Sequence, residues 1–216
     1  MTEAIGPYLY RPVPGVFPLG QECLLLGGFA TLRRRDRVCE LGCGGGALAL
    51  VLLSREPGLH YTGLDDAPAA ACAARENLTA NRLPGEVYAA GVQQVRRLLP
   101  AGGFDLVVSN PPWFAAGSGR SGGGARTEER CTLDDVCAAA AWLLRSGGRF
   151  ALVHRPERLS DLFSALTVHG LEPKRLRLVQ HSQAHPPSAV ILESIRQGRP
   201  GLRVEPTLIL HPTEVP

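Results

Sequence analysis

Two short segments, 70 residues apart, carry residue types that can do chemistry. The first is Glu40-Leu41-Gly42-Cys43-Gly44-Gly45-Gly46, entered from an apolar run. A glycine-rich turn between a strand and a helix lets backbone N–H groups approach a nucleotide-like ligand closely. The second is Asn110-Pro111-Pro112-Trp113, which follows Phe104-Asp105-Leu106-Val107-Val108-Ser109. Here the Asn110 side-chain oxygen and the Pro111 carbonyl are two acceptors on a turn stiffened by adjacent prolines. Each can take one N–H of a planar amino or amide group. Such a nitrogen is a poor nucleophile because its lone pair is delocalised; holding both N–H groups favours a pyramidal nitrogen with the lone pair free to attack. Trp113 offers a flat face on which a base can stack, worth about 1–3 kcal/mol. Positioning supplies most of the acceleration, with no metal and no covalent intermediate. Together the two segments predict methyl transfer from S-adenosylmethionine to a nitrogen.

The glycine turn alone leaves its ligand open. Gly42-x-Gly44-x-x-Ala47 also satisfies a dinucleotide fingerprint. Two details favour S-adenosylmethionine. Glu40 sets a carboxylate just before the turn, which suits the ammonium of a methionine moiety better than a pyrophosphate. The third glycine falls at Gly46, giving a Glu-x-Gly-x-Gly-x-Gly spacing. Asp65 closes the next strand, where it can accept from two ribose hydroxyls. Asp66 competes for that role and is also placed to cap the helix that Pro68 opens.

The rest of the chain has to position these residues. Strands are expected at 37–41, 60–65, 86–90, 105–109 and 149–154, alternating with helices at 47–53, 68–81, 92–99 and 133–144. A further helix is expected at 22–31, ahead of the first strand. That rhythm predicts an α/β fold with a mostly parallel sheet and helices on both faces. A helix at 156–169 then leads to two late β-rich runs, 174–180 and 189–195. Their short link predicts an antiparallel pair closing the sheet edge, for seven strands in all. Residues 1–36 read as a segment that wraps the surface and ends in the short helix, so that 1–216 form a single domain. The stretch 115–129 is rich in glycine and serine and predicts a loop over the site; Arg120 and Arg126 on it and Arg130 just after it can meet phosphates, against Glu128 and Glu129.

Composition narrows the classes. With 44% hydrophobic and 20% charged residues in 216, the chain is neither disordered nor collagen-like. The formal charge of +3 is too mild to argue for nucleic acid by itself. No apolar run is long enough to span a bilayer and no signal pattern opens the chain, so a cytoplasmic protein without membrane contact is expected. The six cysteines lack paired spacing and read as reduced thiols. His181-x-x-x-His185 sits in a Pro-bearing turn and reads as surface histidines, so no metal is expected.

At this point the sequence resembles a known family. Glu40-x-Gly42-x-Gly44-x-Gly46 together with Asn110-Pro111-Pro112-Trp113 is similar to class I amino-methyltransferases of the "methyltransferase small" group, within it to the bacterial adenine-N6 methyltransferases of a valine tRNA. Further matching segments are Leu19-Gly20-Gln21-Glu22-Cys23-Leu24-Leu25, Ala125-Arg126-Thr127-Glu128, the run from Ala151 to Leu159, and Leu171-Glu172-Pro173-Lys174-Arg175. The resemblance implies a Rossmann-like class I methyltransferase fold. It implies S-adenosylmethionine held by Glu40, Gly42, Gly44, Gly46, Asp65, Gly91 and Asn110, and catalysis at Asn110, Pro111, Pro112 and Trp113. It further implies an RNA substrate, a tRNA adenine next to the anticodon, contacted by Trp113, Phe114, Arg126 and Arg155. Arg155 and Arg158 also read as ion-pair partners of Glu157 and Asp161. The expected assembly is a monomer or weak homodimer.

Three departures stand out: Trp113 where tyrosine is usual, Gly91 where an acid usually holds the adenine amine, and an end at Pro216 soon after the last strand. Backbone groups near Gly91 and Val92 can serve in place of the acid. A glutamine-N5 methyltransferase of the release-factor type uses the same tetrapeptide but carries a helical domain ahead of the glycine motif, and 39 residues precede Glu40. A DNA adenine methyltransferase calls for a target-recognition insert that is not visible. A catalytically weak cofactor- or RNA-binding protein also stands as an alternative, whereas a nicotinamide dehydrogenase leaves Asn110–Trp113 unexplained.

Overall fold

Strands that are covered on both faces need apolar residues in both parities, and the chain supplies them at its centre. In β3 (Arg37–Leu41) every residue after Arg37 is buried, with Val38 on one side of the sheet and Cys39 and Leu41 on the other. The structure, a computed structural model, describes residues 2–16, 18–111 and 131–211. β3 is flanked in parallel by β4 (His60–Asp65) and β6 (Phe104–Ser109). β5 (Glu86–Ala89) extends the sheet beyond β4, and β7 (Leu144–His154) extends it beyond β6. On the far side of β7 come β9 (Pro187–Arg196) and then β8 (Leu171–Gln180), with β9 antiparallel to both neighbours. Two short strands, β10 (Arg203–Val204) and β11 (Leu208–Ile209), pair with the outer edge of β8.

This is the Rossmann-like, mostly parallel sheet that the alternation predicted, and the antiparallel pair closes one end of it. The pair closes in an order that the sequence left open: the later strand is inserted inside the earlier one. α1 (Gln21–Phe29), α2 (Ala47–Arg55) and α3 (Pro68–Ala80) cover one face, where Leu48, Leu52, Val108 and Ile191 pack. α4 (Val95–Leu98), α5 (Leu133–Leu143) and α6 (Leu159–Val168) cover the other, around Val107, Phe150, Leu162 and Leu192. The expected helix at 92–99 is split instead into a 3-10 turn, Val92–Gln94, and the single turn of α4.

The chain runs outward from β3 through β4 to β5 and then returns to β6 on the other side of β3. The strand order therefore reverses between β3 and β6, and the carboxyl ends of these two strands open a crevice that no crossover helix can fill. The Ser109 hydroxyl donates to the Leu41 carbonyl at 2.8 Å and ties the two strand ends together there.

The N-terminal segment wraps the domain by a device that the sequence did not reveal. A small hairpin, β1 (Glu3–Ile5) and β2 (Tyr8–Tyr10), lies against α2, and side chains of α3 extend its hydrogen bonding. Asn77 accepts from the Arg11 N–H at 2.9 Å and donates to the Arg11 carbonyl at 3.1 Å; Asn81, one turn later, does the same for Leu9 at 2.8 and 2.9 Å. Each amide thus pairs with the backbone as a neighbouring strand would. Asn77 also donates to the Gly45 carbonyl at 2.9 Å, linking hairpin, helix and glycine turn. Asn77→Ala is expected to cost about 2–3 kcal/mol, because buried backbone partners are left unmet. Calorimetric melting should record this as a loss of roughly 4–12 °C.

Candidate active site

The crevice at the strand reversal is a cavity of about 500 Å³, within the usual range of roughly 300–1,000 Å³ for small-molecule sites. Glu40, Gly42 and Gly44 line it from the end of β3, Asp65 from β4, Gly91 from beyond β5, and Asn110 and Pro111 from β6. The two segments singled out from the sequence thus meet in one cavity.

The geometry of the turn fits an adenosine-type cofactor. Gly42, Gly44 and Gly46 all have positive φ, at 76°, 51° and 81°. A Cβ built on Gly42 or Gly44 meets no protein atom within 4 Å, so the space over the turn is open to a ligand that approaches the backbone. Gly46 does a different job. It lies outside the cavity lining, and a Cβ there would stand 3.2 Å from the Ala74 Cα, so this glycine permits α2 and α3 to approach each other.

Asp65 holds the turn in shape. Its carboxylate accepts from the Gly44 N–H at 2.8 Å and from the Ala67 N–H at 3.0 Å, leaving further lone pairs towards the cavity for hydroxyl donors. Burial raises its pKa, partly offset by those two bonds. The helix cap expected of Asp66 is not seen: Ala67 occupies the cap position of α3 without a side-chain bond, and the Asp65 carboxylate meets its N–H instead.

Glu40 is almost fully buried and accepts from the Tyr61 hydroxyl at 2.6 Å. Burial pushes its pKa up to about 8, against the Tyr61 bond and assisted by the charge of Asp65. Pairing with an ammonium needs the carboxylate, so a ligand carrying one must displace a proton from Glu40 below that pH. Affinity for such a ligand is expected to rise as pH increases from 6 to 7.5, by up to about tenfold per unit. The gain should level off where the ammonium itself begins to lose its proton, at about pH 7.7–8.0. Titration calorimetry with S-adenosylhomocysteine should show this slope in the wild type and a flat profile in Glu40→Gln.

Cys23, in the first turn of α1, lines the cavity together with Asn110. Burial, assisted by the charge of Glu40, pushes its thiol up to about 12. Gly15, Val16 and Pro18 also line the cavity. Their sequence reads as surface wrapping, and the only signal near them is the run Leu19–Leu25 that follows. Arg155 reaches the cavity wall and pairs with Glu157 at 2.8 Å, and Arg158 pairs with Asp161 at 2.8 Å, as their spacing suggested. Pro112, Trp113, Phe114, Arg120, Arg126 and Arg130 lie outside the described residues.

All six cysteines are free. Among the described residues no group of three or more His, Cys, Asp or Glu is arranged to hold a metal ion, and no helix is long and apolar enough to cross a membrane. His181 and His185 are both exposed, with the His181 ring against His185 and His211.

Residues 20–168 match the model of the methyltransferase small domain, a span that holds both the glycine turn and Asn110-Pro111. The chain belongs to the methyltransferase small domain family. Among relatives of this methyltransferase is a tRNA1(Val) (adenine(37)-N6)-methyltransferase of Porphyromonas gingivalis. It is 32% identical over 208 residues, covering 90% of this chain and 81% of the relative. A ribosomal RNA small subunit methyltransferase C of Haemophilus influenzae is 32% identical over 164 residues, 70% of this chain and 44% of that protein. A predicted O-methyltransferase of Agrobacterium tumefaciens shares the fold, with a TM-score of 0.74 at 22% identity over 90% of both chains. The class is therefore an S-adenosylmethionine-dependent methyltransferase.

Proposed function

We propose that this methyltransferase modifies the exocyclic N6 of an adenine in RNA, the tRNA adenine beside the anticodon. The observation that carries the reading is the 32% identity across nine-tenths of the chain to a tRNA adenine-N6 methyltransferase. The position of Asn110-Pro111 at the mouth of the cavity supports it.

When bound, S-adenosylmethionine supplies an electrophilic methyl group on a sulfonium sulfur. Glu40 takes the ammonium of its methionine moiety, Asp65 the ribose hydroxyls, and the open backbone of Gly42 and Gly44 allows the close approach. Asn110 and Pro111 act on the substrate. The Asn110 oxygen and the Pro111 carbonyl would each accept one N–H of the adenine amine; as the nitrogen lone pair bonds to the methyl carbon, the carbon–sulfur bond breaks with its electron pair left on sulfur, and the proton that the nitrogen sheds passes to solvent. Trp113 and Phe114 stack the base, Pro112 stiffens the turn, and Arg126 and Arg155 face the RNA backbone. An anticodon-loop adenine is partly unstacked already, so bringing it into the site costs less than extracting one from a duplex.

The test is methyl transfer from labelled S-adenosylmethionine to unmodified bulk tRNA, with nucleoside analysis by mass spectrometry. N6-methyladenosine is the expected product. Transfer to ribosomal RNA but not to tRNA would favour the second reading, which the Haemophilus influenzae relative motivates. Transfer to a release-factor glutamine would replace both, and intact cofactor binding with no transfer would leave a binding protein.

A further inference from the structure

The wall of the cavity beyond β5 lacks the carboxylate that commonly takes the adenine amine, because the residue there is Gly91. The structure shows what fills that place. Where a Cβ on Gly91 would stand, the nearest heavy atom is the Gln93 Oε1, 3.0 Å away. The other end of the same amide, Nε2, lies 3.4 Å from the Asp135 Oδ2. Asp135 is itself fixed, since its Oδ2 accepts from the Thr132 N–H at 3.0 Å and from the Thr132 hydroxyl at 2.9 Å in the capping box that opens α5. The amide therefore has a defined sense, with NH₂ towards α5 and oxygen towards position 91. Gln94 serves separately, accepting the Gly91 N–H at 3.2 Å and holding the turn. Beside the Gln93 oxygen, Ala90, Val92 and Val136 give the cavity an apolar wall suited to a flat ring.

We propose that Gln93 is the specificity-determining acceptor for the exocyclic amine of the cofactor's adenine, replacing the acid absent at position 91. The assignment rests on S-adenosylmethionine being the cofactor. An amide oxygen carries no charge, so this wall selects the amine by a hydrogen bond alone, and a side chain two residues along the turn supplies it. Asp66 is the rival acceptor, with its Cβ 3.7 Å from the same point.

The experiment compares two ligands by titration calorimetry: S-adenosylhomocysteine, and its analogue with purine in place of adenine, which lacks only the amine. The wild type should prefer the first by about tenfold, the net worth of one hydrogen bond. In Gln93→Ala that ratio should fall to about 1, because only the amine-bearing ligand has a contact to lose. Asp66→Ala should keep the wild-type ratio. A ratio is insensitive to a general loosening of the fold, which weakens both ligands together. A Gln93→Ala ratio equal to that of the wild type overturns the proposal, as does a collapse confined to Asp66→Ala. Failure of the wild type to bind either ligand would overturn the cofactor assignment as well, and so would be told apart from failure of Gln93 alone.

Discussion

Asn110→Ala is expected to lower methyl transfer about 100- to 1,000-fold, or about 2.7–4 kcal/mol of barrier, the loss typical of removing one preorganised polar group at a reacting centre. Affinity for S-adenosylhomocysteine should stay within about threefold, because the turn, Glu40 and Asp65 are untouched. The size of the effect follows from how firmly the side chain is held. Its strand ends at Ser109, which is anchored to Leu41, and the next residue is the buried Pro111. None of this order has to be created when substrate arrives. Single-turnover rates read alongside calorimetric affinities separate the two quantities. A parallel fall in both would assign Asn110 to cofactor binding.

Arg149→Met should produce the largest loss of stability. Arg149 and Asp36 are both buried, with Nη2 and Oδ2 2.6 Å apart, and they join the inner part of β7 to the loop before β3. Arg149 also donates to the Thr31 carbonyl at 2.8 Å, and Asp36 accepts the Arg33 N–H at 2.8 Å. Breaking such a pair from one side leaves a buried carboxylate without its counter-charge and is expected to cost about 3–5 kcal/mol. For a chain of this size that corresponds to roughly 6–20 °C in melting temperature. The double variant with Asp36→Asn should recover part of the loss, since most of it comes from the stranded charge and not from a forfeited attraction. Denaturant melts of the single and double variants give both numbers. The pair stands at the end of the strands opposite the cavity, so cofactor affinity of the folded fraction should not change.

What was legible in the sequence is what local chemistry controls. The central strands announced themselves as apolar runs bounded by glycine and proline, since a strand buried on both faces cannot be written any other way. The meeting of Glu40–Gly46 with Asn110 was legible because strand–helix alternation brings the carboxyl ends of parallel strands to one side. The order of β8 and β9 is marked only by their composition: Ala189-Val190-Ile191-Leu192 in β9 is buried throughout, whereas β8 alternates buried Leu171, Leu176 and Val179 with half-buried Lys174, Arg175 and Arg177, the pattern of the outer strand. Asn77 and Asn81 carry no sequence signal of their role in a helical stretch. Their partners, Leu9 and Arg11, are more than 60 residues away, and nothing in a helical pattern tells a side chain that bonds a distant strand from one that bonds water. Gly46 fitted the motif and so read as a cofactor contact, although its tight approach to Ala74 gives it a packing role. Gln93 went unremarked because a glutamine in a turn is ordinary until its oxygen is found beside the glycine.

The placement of β9 also bears on how the protein is made. β7 leaves the ribosome with only β6 to pair with, and its other edge, running through Phe150 and Leu152, waits for Leu192 and Ser194. About 40 residues must be synthesised before that partner is complete, roughly 2–8 s at about 5–20 residues per second. β8 emerges in the interval and cannot take the vacancy in its native place, because in the finished sheet it touches β9 and not β7. The newborn chain therefore passes those seconds with an apolar strand exposed as an edge, the arrangement that invites pairing with a neighbouring chain. It is relieved once β9 pairs with β7.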